Sequence, residues 1–219
     1  IVRKFFNRLH FLLSGILLVI MVFSLTACSS TKTLEPAPEG YSFIKPPSEE
    51  QIYSRFGNSK MYMTTDPEQI ADWYCDFVVI GKFLGNTDTF VANGDHIYTK
   101  GLFEVTDVLK GDYAGQYLEA VYGGGAISVD EYLDALEPGE ISSYGLNKIP
   151  QNERSSLYVE ERDPEYGVDP TPGTTYILLL SDSDIGYAVQ GDTFGVMPYQ
   201  DGKAYDYATN SYKTFSFME

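Results

Sequence analysis

Phe77-Val78-Val79-Ile80-Gly81-Lys82-Phe83 is a near-continuous apolar run broken by a single glycine. β-branched and aromatic residues at this density suit a strand, and a glycine inside a strand marks a bulge or a sharp coil. Upstream, Asp66-Pro67-Glu68-Gln69 places a capping side chain three residues before a Gln, with Pro at the first helical position. Ser48-Glu49-Glu50-Gln51 has the same capping pattern. Each predicts a short helix leading into the body. Downstream, a loop is expected over 86–95, followed by a strand over 98–109. In that strand Gly101, Phe103, Val105 and Leu109 share one face, and Lys100, Glu104 and Thr106 the other. A third strand over 117–122 runs into Gly123-Gly124-Gly125. Ser128-Val129-Asp130-Glu131 then opens a helix with a full capping box, expected to end at Pro138-Gly139.

Residues 138–173 carry five prolines and many charges, and they read as an insertion forming a partly ordered surface excursion. A strand over 174–180, a turn at Ser181-Asp182-Ser183-Asp184, and strands over 185–190 and 193–197 follow. A last hairpin is expected from Tyr205-Asp206-Tyr207 and residues 212–217. The order strand, strand, strand, helix, strand, strand is that of the OB-fold, a small five-stranded barrel whose first strand coils to serve both halves of the sheet. Gly81 sits where that coil is needed. The expected class is therefore mainly β, an OB-fold-like barrel with one helix between its third and fourth strands and a long insertion. Another small β-barrel or a β-sandwich is the alternative.

Ala71-Asp72 leading to Val78-Val79-Ile80-Gly81, then Phe103-Glu104-Val105 with Leu109-Lys110-Gly111, then Pro172-Gly173-Thr174-Thr175-Tyr176-Ile177-Leu178-Leu179-Leu180 loosely resemble extracellular OB-like modules of the netrin and tissue-inhibitor type. The resemblance covers about half of residues 28–219 and implies fold only. The disulfides of that family have no counterpart here, so a protease-inhibitor role is not implied.

The N-terminal region supplies an address. Behind the basic start Val2-Arg3-Lys4 runs an apolar stretch from Phe11 to Leu25, which is short for a membrane-spanning helix and of the length of a secretory core. It ends in Leu25-Thr26-Ala27-Cys28, which resembles the lipobox of bacterial lipoproteins. The resemblance implies cleavage between Ala27 and Cys28 and fatty-acyl chains, palmitate among them, on Cys28. A plain transmembrane anchor is the alternative. The implied organisation is a signal peptide over 1–27, a Ser/Thr/Pro-rich flexible linker over 28–47 and one OB-like domain over 48–219. The implied location is the extracytoplasmic face of the cell membrane, held there by two or more acyl chains.

The whole chain has 15 Lys+Arg against 31 Asp+Glu, a formal charge of -16. Residues 1–27 hold three of the cations and no acid, so removing them leaves -19. Such a field opposes nucleic acid, whose binding rests on cations neutralising phosphates, and opposes docking on anionic lipid. Nucleic acid is therefore not an expected partner; the acidity leaves cation binding as an alternative, but zinc sites built on two or more His or Cys are ruled out, and no metal or cofactor is expected. Cys75 is the one cysteine besides Cys28 and reads as a small buried hydrophobe rather than as half of a nucleophile pair with His96. Asp182-Ser183-Asp184-Ile185-Gly186 has a superficial likeness to the start of a calcium loop, but it lacks the third Asp and the distant Glu and suits a hairpin turn.

No catalytic residue is identified. The functional reading is a surface-tethered, non-enzymatic binding or interaction module. A carbohydrate or peptidoglycan-binding role is the first alternative, because all 18 tyrosines fall after Cys28 and Tyr199, Tyr205, Tyr207 and Tyr212 form a candidate ligand surface beside carboxylates. A two-carboxylate hydrolase is the second. Expected partners are the membrane, through the lipid on Cys28, and a protein or cell-wall glycan.

Overall fold

The computed structural model describes residues 35–57, 63–137 and 145–219. Within them the strands are β1 Ile52–Phe56, β2 Phe77–Ala92, β3 His96–Lys110, β4 Tyr117–Gly123, β5 Gly125–Ser128, β6 Tyr158–Glu161, β7 Thr175–Ser183, β8 Gly186–Val189, β9 Val196–Gln200, β10 Lys203–Asp206 and β11 Ser211–Lys213. The helices are α1 Pro67–Tyr74, α2 Val129–Ala135 and the single turn α3 Gln151–Arg154. The protein is mainly β.

Five strands close a ring. β2 pairs antiparallel with β3 and with β7, β3 with β4, and β7 with β8. The last seam is parallel, Ala120 and Val121 of β4 beside Tyr187 and Ala188 of β8. Numbered within the barrel, the order is one, two, three, five, four and back to one, with α2 between the third and fourth strands. This is the OB arrangement expected from the order of elements. β9, β10 and β11 extend the sheet outward from β7.

The apolar runs of β2 and β7 are explained by burial on both faces. Phe77, Val79, Phe83, Leu178 and Leu180 point into the barrel with Phe103, Leu118 and Val196. Val78, Ile80, Ile177 and Leu179 point outward and are covered by Ile70 and Ala71 of α1, by Met197 and Ala204, and by Phe215 near the C-terminus. Asp66 caps α1 by accepting from Glu68 N at 3.1 Å. The register of β2 on β3 slips between Ile80 and Gly81. A Cβ at Gly81 would stand 3.1 Å from Phe103 Cβ, so the first strand crosses the barrel where only a glycine lets the neighbour so close.

The loop expected over 86–95 is mostly strand. β2 continues to Ala92, and the turn is confined to Asn93-Gly94-Asp95, where Asn93 (φ 53°) and Gly94 (φ 91°) take the left-handed conformations that Asn-Gly allows. Thr87, Thr89, Phe90 and Val91 suit this strand, and the polar run Asn86 to Thr89 masks it. Beyond β4, Gly124 and Gly125 (φ 92° and 136°) turn the chain out of the barrel into a separate three-stranded sheet. A Cβ at Gly125 would lie 2.3 Å from Thr99 Oγ1.

In that second sheet β6 runs between β1 and β5, parallel to the first and antiparallel to the second. Ser128 caps α2, accepting from Glu131 N at 3.3 Å, and the helix ends at Ala135; the expected end at Pro138-Gly139 lies outside the described residues. Residues 145–173 are more than a surface excursion. They supply β6, and Leu146, Ile149 and Val159 complete a third core with Ile97, Tyr132 and Leu133. Glu161, 3 % exposed, ties this sheet to the barrel by accepting from Ile97 N at 2.5 Å. The apolar residues Leu146, Ile149 and Val159, embedded among prolines and charges, are what anchor it.

The segment assigned to a flexible linker also differs from expectation over 35–47. Ile44 N donates to Asn86 O at 2.9 Å, the Phe43 ring covers Gly85, Tyr41 meets Tyr117 with ring centres 6.0 Å apart, and Glu35 pairs with Lys82 Nζ at 3.0 Å. These aromatic side chains hold it against the free edge of β2 beyond the point where β7 stops.

Gly125→Ala is expected to destabilise the domain by about 2–3 kcal/mol, because a side chain there meets Thr99 in a left-handed backbone. Gly81→Val is expected to cost about 1–3 kcal/mol through overpacking against Phe103. Urea unfolding of the two variants checks both; an unchanged midpoint for Gly125→Ala would show that the chain does not leave the barrel there.

Candidate functional site

Two aspartate-capped turns face each other across the region where β7 begins. In the first, Asp163 Oδ1 accepts from Glu165 N and Tyr166 N, both at 2.8 Å, which fixes the turn that presents Glu165 and Tyr166. Tyr166 then leans on Phe194, ring centres 5.2 Å apart, and its carbonyl accepts from Thr193 N at 3.3 Å. In the second, Asp206, 1 % exposed, accepts from Ala208 N at 3.0 Å, Thr209 Oγ1 at 2.7 Å and Lys213 Nζ at 2.8 Å. That turn presents Tyr207 and Asn210.

Between the turns lies a cleft of about 380 Å³. Tyr176 and Val196 form its floor, continuous with the barrel interior, and Thr193 lies beside them. Tyr166 and Tyr207 stand as walls, and Asp169 and Pro170 complete the rim. The rings are held from behind. Tyr176 sets its edge against Phe103 at 6.4 Å and takes a hydrogen bond from Thr171 N at 2.8 Å, while Tyr207 meets Tyr205 edge-on at 5.1 Å. Burial raises the Tyr207 hydroxyl above its ordinary pKa, against a lowering hydrogen bond from the Thr193 side chain, so the phenol stays protonated at neutral pH. The Tyr166 hydroxyl donates to Glu165 Oε1 at 2.5 Å, and that charge-assisted bond leads the causes that raise its pKa.

The structure brings together three of the four tyrosines of the candidate ligand surface. Tyr205 touches both Tyr207 and Tyr212, the latter at 5.2 Å, and Tyr212 is exposed. Tyr199 instead packs on the outer core beneath β9. Of the four only Tyr207 lines the cleft. Glu165, Tyr166, Asp169, Tyr176 and Asn210 were not singled out from the sequence. The one signal for them is the pair of Asp-led turns, Asp163-Pro164-Glu165-Tyr166 and Asp206-Tyr207-Ala208-Thr209, which sequence does not show to be neighbours.

Ala27 and Cys28 lie outside the described residues. Cys75 is buried at the start of β2, where loss of hydration pushes its thiol up to about 12, far from the thiolate that reactivity needs. His96 sits at the other end of the β2–β3 hairpin, its Nδ1 3.3 Å from Glu161 Oε1, so the two are not brought together. Asp184 and Ile185 form the two-residue turn between β7 and β8, closed by Ser183 Oγ donating to Gly186 O at 2.6 Å. Among the described residues no group of three or more His, Cys, Asp or Glu side chains is placed to hold a metal ion. No protein-family model matches the sequence, and none of the curated proteins does.

Asp206 controls one wall of the cleft. Burial works against its charge, but the bonds from Lys213, Thr209 and Ala208 outweigh it and hold the carboxyl below the ordinary carboxylate range. Because the folded pKa is depressed, the stabilisation is present above the unfolded value and is lost as pH falls through the folded one. Asp206→Asn is therefore expected to cost about 1–3 kcal/mol at pH 7. The gap to the parent should narrow below about pH 4. Urea unfolding at pH 7 and pH 3 checks the sign; an equal gap at both would remove the carboxylate from the account.

Proposed function

We propose that the chain is a lipid-anchored, extracytoplasmic, non-enzymatic binding module whose ligand site is the cleft between the two aspartate-capped turns. The observation that carries the reading is the cleft itself. It falls in the size range of small-molecule sites, its floor of Tyr176 and Val196 is part of the barrel core, and several of the polar groups around that floor are held by hydrogen bonds or by rings behind them. A rigid barrel that positions loop residues is the usual way in which such modules keep a site in shape.

The anchor rests on Leu25-Thr26-Ala27-Cys28. From Cys28 to Glu35, the first described residue, the chain can span at most about 25 Å. The strong negative charge favours a domain held off anionic lipid. Glycan binding is the second reading, favoured by the contiguous rings of Tyr205, Tyr207 and Tyr212, one of which reaches the cleft.

Metabolic labelling with a fatty-acid analogue is expected to mark the parent chain and to vanish in Cys28→Ser, with the variant released or retained as precursor. Label persisting on the variant contradicts the anchor. For the site, Tyr207→Ala is expected to leave the barrel folded by circular dichroism, because Tyr207 stands on the outer turn. It should also abolish ligand-induced changes in the Tyr166 and Tyr176 resonances. Ligand-induced changes that persist unaltered in the variant place the ligand elsewhere.

A further inference from the structure

We infer that the cleft selects a small organic cation, a free molecule bearing a primary or quaternary ammonium group. This rests on the cleft being the ligand site. The inference follows from which charges and which hydrogen-bonding groups line it. Glu165 and Asp169 supply two carboxylates, and no Lys, Arg or His is among the lining residues. Among the described residues neither carboxylate is paired with a basic side chain, and the Glu165 carboxylate accepts from the neutral Tyr166 hydroxyl. An anion entering would lose water against two like charges, which excludes phosphates and carboxylic acids as the main occupant.

A neutral polyol is a poorer match than a cation. The Thr193, Tyr176 and Tyr207 hydroxyls and the Asn210 amide offer a polyol some donors, but the two carboxylates accept only and gain most from a donor that carries positive charge. The two carboxylates therefore favour N–H or N–CH groups carrying positive charge. Its aromatic lining adds a second attraction of the same sign. The faces of Tyr166, Tyr176 and Tyr207 carry the negative part of the ring quadrupole, which draws ammonium groups within about 6 Å. Each ring is braced by another aromatic, Phe194, Phe103 and Tyr205, so little is lost in fixing them on binding. The net charge of -19 on residues 28–219 concentrates cations around the whole domain, and a cleft focuses that field.

The test is calorimetric titration of the full lipidated chain in a neutral polyoxyethylene detergent at low and moderate salt. The probes are choline, its uncharged isostere 3,3-dimethylbutan-1-ol, the anion 3,3-dimethylbutanoate, ethanolamine, N-acetylglucosamine and glycerophosphocholine. Choline or ethanolamine is expected to bind at least tenfold more tightly than the uncharged isostere, the preference shrinking with salt, with no detectable binding of the anion. Glycerophosphocholine should bind more weakly than choline, since its phosphodiester meets the carboxylates; tighter binding would assign the cleft to lipid headgroups and overturn the free cation. Glu165→Gln with Asp169→Asn should reduce the preference to threefold or less while leaving the isostere unchanged. Glu50→Gln with Asp112→Asn, an equal charge change on exposed residues away from the cleft, should leave it intact. If the control removes as much preference as the cleft pair, the selectivity belongs to the overall field and the inference fails. If N-acetylglucosamine or the isostere binds at the cleft as well as choline does, the cation assignment is overturned and the cleft stands as a ligand site. If no probe binds and none shifts the Tyr166, Tyr176 or Tyr207 resonances, the cleft reading falls with it.

Discussion

The structure depends on one constraint: β2 and β7 are paired to each other and buried on both faces. A strand with a single buried face can trade its outward residues for polar ones, and its neighbours can shift register at modest cost. Here that freedom is gone. Val79 and Leu178 fill the barrel while Val78 and Leu179 bind the outer layer, so a slip by one residue would exchange two cores at once. Closing the ring, docking α1 and adding β9 to β11 all use this pair as their common wall.

The cleft inherits its shape from the same wall. Tyr176 opens β7 and faces the barrel interior, so the floor of the site is part of the core and cannot move independently of it. The two turns above it are held by buried or partly buried aspartates and by the packing of Tyr166 and Tyr207 on the outer core. Such turns keep a defined geometry with little apolar surface, and they leave their carboxylate, amide and phenol neighbours turned toward solvent. Rigid floor and hydrogen-bonded rim together give a cleft whose shape is set by the fold itself.

Much of the barrel was legible because its residues repeat a short-range pattern. The run from Phe77 to Phe83 gave the first strand, Gly81 its distortion, and Ser128 and Asp66 the two capped helices. Asn93-Gly94 encoded the hairpin, but the strand leading into it was read as loop because Asn86, Thr87, Asp88 and Thr89 look polar when their cross-strand partners are unknown. β6 escaped for a related reason. Its four residues Tyr158–Glu161 have no strand identity apart from β1 and β5, which lie about 100 and 30 residues away in sequence. The cleft was the least legible part, since Asp163 and Asp206 act locally while their turns meet only after the barrel closes. Tyr207 was singled out for being a tyrosine among tyrosines, not for its position.

Native-state hydrogen exchange tests the dependence on the doubly buried pair most directly. The amides of Val78 to Ile80 and of Ile177 to Leu179 are expected to exchange last, with an opening free energy equal to that of global unfolding. Amides of β1, β5 and β6 should open at lower free energy, because their sheet stands on a separate core. If the Ile127 and Val159 amides outlast those of Val79 and Leu178, the second sheet is the more stable unit and the barrel is built on it.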